Sequence, residues 1–436
     1  MCLQYKEKSN AFDIDRCEFY ETSTNEKQFN INFIFDPFPD MISIIMNSSE
    51  FPIPVFNNNY ISFDFLLLLF QNLNSNNFSM DQKCVIGEVI DSIIINGLFE
   101  KNEIIFNLFL QFLSLNGSTN KVSKVIFKCI YDLISPNIIK KFPYNMYDII
   151  KSTNDKVYIS RIAQKISQNL TRKNKSAKLP FIMFLKEISF FVNKETALSI
   201  YTAHLNVFCV FPSTFPISSF DFYANATNFD SETLSTVLIM LAQITKDIEI
   251  FLNPQIRNAI LSGITNKNSI SLMIHSIHAL TNFLKLDVEN FKENYFFSSL
   301  SFQQLITYLN SLIQELTFAV KSDAGYFLSL LMQNFPQELV KNICGDEKFC
   351  DIRESIMIIL DLDRPFLSIQ LLYGLDSIFT FSLENNVFNQ FYMRVGEYDI
   401  LDAINNLATH TNQDVASTAD IVYAKIYEKT RIIENW

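Results

Sequence analysis

Residues 268–284 read NSISLMIHSIHALTNFL. Placed at about 100° per residue, Ser271, His275, His278 and Asn282 fall on one narrow stripe, spaced four, three and four residues apart. Ile270, Met273, Ile274, Ile277, Leu280 and Leu284 centre on the opposite side, and Leu272, Ala279 and Phe283 widen that apolar arc. A helix on the surface of a globular protein needs an apolar face of only about 100°. This one offers far more and leaves a single polar seam. The pattern predicts a helix packed among neighbours on three sides, with Asn268 as its N-cap and Lys285 in its last turn.

The surrounding chain repeats this character. Helical periodicity begins at Tyr60 and continues in segments of 10–18 residues to Lys429, with short breaks and little strand-like alternation. Only 8 Gly and 12 Pro occur in 436 residues, too few punctuators for a fold of strands and turns. A single core stops growing near about 250–300 residues, so an unbroken helical series of this length favours stacked units. Division of Tyr60–Lys429 by a repeat of roughly 40–47 residues gives about eight or nine of them. The fold expected is all-α, an armadillo-like right-handed α-solenoid.

Its organisation is read as an irregular N-terminal arm (1–58), N-terminal helical repeats (59–211), a loop (212–230), C-terminal armadillo-like repeats (231–430) and a tail (431–436) that includes Trp436. Pro37, Pro39, Pro52 and Pro54 punctuate the arm. Pro212 and Pro216 mark the loop, which is longer than most connections in compact domains. A second, basic loop, Thr171–Lys178 (TRKNKSAK), reads as a solvated helix–helix connection.

Composition narrows the function classes. With 48% hydrophobic residues the chain can fill a large core. A net charge of −11 argues against nucleic acid and anionic membrane as partners and suits a partner with exposed Lys and Arg. Seven scattered Cys read as reduced thiols, placing the protein in the cytoplasm or the nucleus. The longest apolar run, Phe65–Phe70, is too short to span a bilayer. The Gly positions build neither a dinucleotide fingerprint nor a P-loop. His275 and His278 stand one turn apart, but no Cys or carboxylate accompanies them at ligand spacing, so no metal is expected. Cys344 and Cys350 with Asp346, Glu347 and Asp351 read as a polar loop, and Asp361 and Asp363 as a helix connection. No cofactor and no catalytic residues are assigned, and the chain reads as not an enzyme.

One segment resembles a known family. In Gly396–Lys429, GEYDILDAINNLATHTNQDVASTADIVYAKIYEK, the residues Ile400, Leu401, Ile404, Leu407 and Ala408 form one helical face. A His410-Thr411-Asn412 turn follows, then Val415, Ala419, Val422 and Ile426 at spacings of four, three and four. This order of features resembles the closing armadillo repeat of the importin-α (karyopherin-α) family. The frame Ile277-His-Ala-Leu-Thr-Asn-Phe283 is similar to that family's inner helix. The resemblance implies that Asn282 clamps the backbone of a bound peptide and that His278 stands where a Trp would stack on Lys stems. Weaker frames fall at Ile239/Gln243 and Ser92/Asn96. The family's Trp ladder and basic N-terminal segment are absent. The expected function is therefore a non-catalytic protein-binding scaffold that holds a peptide or partner protein on its concave surface. The binding residues expected are Ser271, His275, His278, Asn282, Gln243 and Asn96, and the partner is a protein or extended peptide, basic ones among the candidates. The alternative is an importin-α-like nuclear transport adaptor that has lost the usual ladder.

Overall fold

The computed structural model describes residues 63–95, 103–116, 121–140, 142, 146–152, 155–266, 268–296, 302–344, 352–396 and 400–434. The expected arm, Asn96 and residues 435–436, Trp436 among them, lie outside them; the rest of the expected tail, 431–434, is instead the end of the last helix. The described residues are all-α: helices and short helical turns, with no strand among them. The chain divides into two compact units at Ser218/Ser219.

The first unit contains α1 (Phe63–Asn74), α2 (Met80–Ile95), α3 (Glu103–Asn116), α4 (Lys121–Leu133), α5 (Pro136–Ile139), α6 (Met146–Ser152), α7 (Lys156–Asn169), α8 (Lys175–Ile188) and α9 (Ala197–Val210). Successive pairs α2–α4 and α7–α9 pack side by side, joined through α4 and α7. A second row, α3, α6 and α8, backs them. Between the rows the chain places its abundant aromatic side chains, with Phe106, Phe109, Phe112, Phe127, Phe181 and Phe184 fully buried. Burying such rings is the main favourable term holding the rows together. The basic loop is shorter than expected, because α8 begins at Lys175 and carries Pro180 within it. Asn174 tethers that start, donating from Nδ2 to the Pro136 carbonyl and accepting from the Thr171 backbone N–H.

The second unit contains α10 (Phe220–Ala224), α11 (Ser231–Leu241), α12 (Glu249–Leu252), α13 (Pro254–Thr265), α14 (Ile270–Leu286), α15 (Val288–Phe291), α16 (Phe302–Glu315), α17 (Phe318–Asn334), α18 (Pro336–Cys344), α19 (Ile352–Leu360), α20 (Pro365–Glu384), α21 (Phe388–Gly396), α22 (Ile400–Leu407) and α23 (Gln413–Glu434). The long helices α11, α14, α17, α20 and α23 pack in one row, and α13, α16, α19 and α22 back them one for one from α14 onward. The helices α14, α17, α20 and α23 begin at 270, 318, 365 and 413, a recurrence of 47 or 48 residues. Their counterparts in the first unit (α2, α4, α7 and α9) begin at 80, 121, 156 and 197, and recur sooner. In the second unit a short helix follows each of α14, α17 and α20 (α15, α18 and α21).

Two further expectations are revised. The N-cap of α14 is Ser269, whose hydroxyl accepts from the Leu272 backbone N–H; Asn268 sits one residue outside. Residues 212–230 are not a bare loop. They hold two 3-10 turns and α10, and Phe215, Ile217, Tyr223, Ala224 and Ala226 are buried. The prolines broke the helical period, but the aromatic and aliphatic residues between and after them are still buried.

The helix α20 is long and apolar enough to cross a membrane by length and composition alone. Its contacts explain the composition: α17, α18, α19, α21 and α23 all pack against it.

Candidate functional site

The stripe picked out by periodicity lies on α14, which is flanked in its row by α11 and α17. Ser271, His275, His278 and Asn282 share one side of that helix, and each engages a neighbour. His275 Nδ1 is hydrogen-bonded to Ser235 Oγ of α11, and Ser271 Oγ lies 3.3 Å from the same Ser235 Oγ. On the other flank, His278 Nε2 is 3.1 Å from Asp323 Oδ2 of α17. Asn282 Nδ2 donates to the carbonyls of Leu241 (2.7 Å) and Ile244 (3.0 Å). Those carbonyls lie at and beyond the C-terminus of α11, where backbone oxygens lack partners within their own helix. The stripe is therefore a seam that stitches three helices together, as well as a surface.

Electrostatics follow from this placement. Burial pushes His275 down to about 4, helped by the nearby His278 and opposed by Asp323, so its ring is neutral at pH 7. His278 keeps about a third of its side chain in contact with solvent, and Ser271 is exposed. The sequence pattern offered His278 no carboxylate; Asp323 arrives from the next long helix. Gln243 is not on a helix face. It occupies the turn after α11, half-buried, beside the carbonyl that Asn282 caps.

Other residues join the site that periodicity of one segment could not show. Taking each long helix from its first residue, His278, Tyr326, Tyr373 and Ile421 all occupy the ninth position. All four reach solvent, Tyr373 with 49% of its surface. The ring of Tyr326 is covered by Lys285 Nζ at 4.6 Å and touches Phe366, centroid to centroid 5.3 Å. Phe318 carries the Arg364 guanidinium at 4.7 Å. Cation–aromatic contacts of this kind are worth about 0.5–1 kcal/mol at exposed sites. The thirteenth position does not repeat its chemistry: Asn282 is followed by Leu330, Ser377 and Lys425. A superposition of the three long helices by their start residues would have exposed the aromatic row from sequence. The start of α17 is the obstacle, because Phe318-Ala-Val carries no strong cap and 321 reads as an equally good beginning.

The polar residues of the His410–Asn412 turn bond the start of the last helix and the Asp363 side chain. Asn412 Oδ1 accepts from the backbone N–H groups of Asp414 and Val415 at the start of α23, and His410 Nε2 lies 3.2 Å from Asp363 Oδ1. Among the described residues no three His, Cys, Asp or Glu side chains are grouped to hold a metal ion.

No protein-family model matches this chain. No curated protein matches it either. Among solved structures, an engineered protein determined by crystallography in a structural-genomics programme is 13% identical, over 83% of this chain and 89% of its own, with a TM-score of 0.49. A likeness that distant carries no argument about function.

Proposed function

We propose that this chain is a non-catalytic binding scaffold, an armadillo-like α-solenoid whose second unit holds an extended peptide or a partner protein along its long-helix row. One observation carries the reading: the solvent-reaching side chains at the ninth position, His278, Tyr326 and Tyr373, recur on successive packed helices. A row of rings at one repeat spacing suits an extended chain, whose side chains can stack on them in turn. The recurrence of 47 or 48 residues and the one-for-one backing of the long helices support the solenoid. Tyr326 already carries Lys285, so Tyr373 is the ring on which a partner's cation would stack. No observation favours a nuclear transport adaptor over a scaffold of this general kind.

The test is a peptide-library selection on the intact chain, followed by calorimetry of the enriched peptides. Tyr373→Ala and Tyr326→Ala are expected to weaken binding by roughly 1–2 kcal/mol each, as central aromatic contacts do. Asn282→Ala should instead lower stability by about 1–2 kcal/mol, through the two uncapped carbonyls. Peptides that bind wild type and the Tyr326/Tyr373 double variant equally would refute the assignment of this face.

A further inference from the structure

Two exposed helical stripes, one in each unit, lie beyond the His278, Tyr326 and Tyr373 row that carries that reading, and share with the ninth position only Ile421. On α8 and the 3-10 turn that follows it, Ser176, Leu179, Met183, Lys186, Glu187 and Phe190 are exposed at helical spacing and so form one face. Leu179, Met183 and Phe190 show 66%, 57% and 84% of their surface to solvent. The face is cationic: Lys186 lies in it, Arg172 and Lys173 are exposed just before the helix, and its one acid, Glu187, is bound by Lys151 Nζ at 2.5 Å.

The second stripe runs along α23 and has the opposite charge. Asp414, Ser417, Asp420, Ile421, Ala424, Tyr427 and Glu428 are exposed, again at helical spacing. Ile421 and Tyr427 show 68% and 55% of their surface. Three carboxylates accompany them. Lys425, in the same stretch, is turned toward α20, with Nζ 2.6 Å from Asp376 Oδ1 and 2.8 Å from Thr380 Oγ1.

We propose that these stripes bind each other between copies of the chain, the α8 face of one copy docking on the α23 face of the next. Each supplies what the other lacks: large apolar side chains at helical spacing on both, cations on one and carboxylates on the other. The net charge of −11 makes copies repel in general, so a contact between them needs opposite charges locally. Pairing α23 with α23 would set acid against acid, and pairing α8 with α8 would set cation against cation. The head-to-tail pairing alone satisfies both. Such a contact is heterologous, so each docked copy still presents one free face and growth continues as an open chain or closes into a ring. A single helix pair falls below a standard interface of about 1,600 Å², so association is weak and concentration-dependent.

Sedimentation velocity on the full chain tests this. Wild type is expected to shift to larger species as concentration rises through the micromolar range, and the shift should shrink with added salt. Met183→Glu on α8 and Tyr427→Glu on α23 should each abolish growth alone, with circular dichroism unchanged because both side chains are exposed. Mixed, the two variants should form a species of two chains, since each keeps the face the other has lost. A wild type that stays monomeric at every concentration overturns the proposal. So does a mixture with no two-chain species, or a dimer that survives either substitution.

Discussion

Asn310 is the residue whose environment is most at odds with its chemistry. It lies on α16 with no exposed surface, and among the described residues neither its Nδ2 nor its Oδ1 has a hydrogen-bond partner. A buried amide left unpaired costs about 1–3 kcal/mol by mutational measures. Asn310→Leu, which keeps the branching and the number of side-chain heavy atoms, is therefore expected to raise the stability of the chain by roughly that amount, read from chemical denaturation midpoints. A drop in stability would show that the amide has a partner after all. Single residues also mark how far the sequence could be read. Ser271, His275, His278 and Asn282 were legible because a four–three–four spacing survives any context. Ser235 and Asp323 were not, since they reach the stripe from other helices and nothing in their own segments sets them apart. The capping role of Asn282 was hidden for the same reason: it serves the end of α11, not its own helix.

Between elements, the close approach of α17 and α20 depends on a missing side chain. A Cβ at Gly374 would stand 2.9 Å from Met332 Cβ and 3.0 Å from the Ser329 carbonyl oxygen. Neither atom can move without shifting a helix. In an exposed helix Gly→Ala stabilises by about 1 kcal/mol. Here Gly374→Ala is expected to destabilise by about 1–3 kcal/mol, the range for overpacking a filled core, with the loss measured by thermal or denaturant unfolding. Periodicity located the long helices within a few residues of their ends, because each has a wide apolar arc. It passed over α21, a nine-residue helix, and the short turns within 212–230. Short elements hold too few residues to establish a period, and their positions are settled by packing.

For the whole molecule, acid is the informative perturbation, because each unit holds one histidine whose pKa is lowered by desolvation, His204 fully buried and His275 partly so. Burial takes His204 of the first unit down to about 3, and burial first, then His278, takes His275 of the second to about 4. Unfolded, both titrate near the ordinary value of about 6.5. Between that value and their folded ones, the unfolded chain takes up protons that the folded chain refuses. Stability is thus fully present above about 6.5 and falls as the pH drops toward about 4, by on the order of 3 kcal/mol for each histidine. Burial raises Glu88 and Asp91 in the first unit, which works the other way in acid, so the second unit should show the steeper dependence. His275→Gln should flatten that slope, read from unfolding midpoints across pH. The all-α class was plain in the sequence from its sparse Gly and Pro and its sustained period, and the two-unit division at Ser218/Ser219 falls inside the loop (212–230) at which Pro212 and Pro216 divide the sequence, whereas its exact place within that loop depends on contacts that no local pattern encodes. One consequence of the row arrangement concerns synthesis. The helices that pack together are close neighbours in chain order, and the side-chain hydrogen bonds joining one long helix to the next span fewer than 50 residues. A nascent chain therefore never waits for a distant segment. Each long helix finds its seat as soon as roughly one further repeat leaves the ribosome, so this protein can be laid down like courses of brick, finished behind the growing edge.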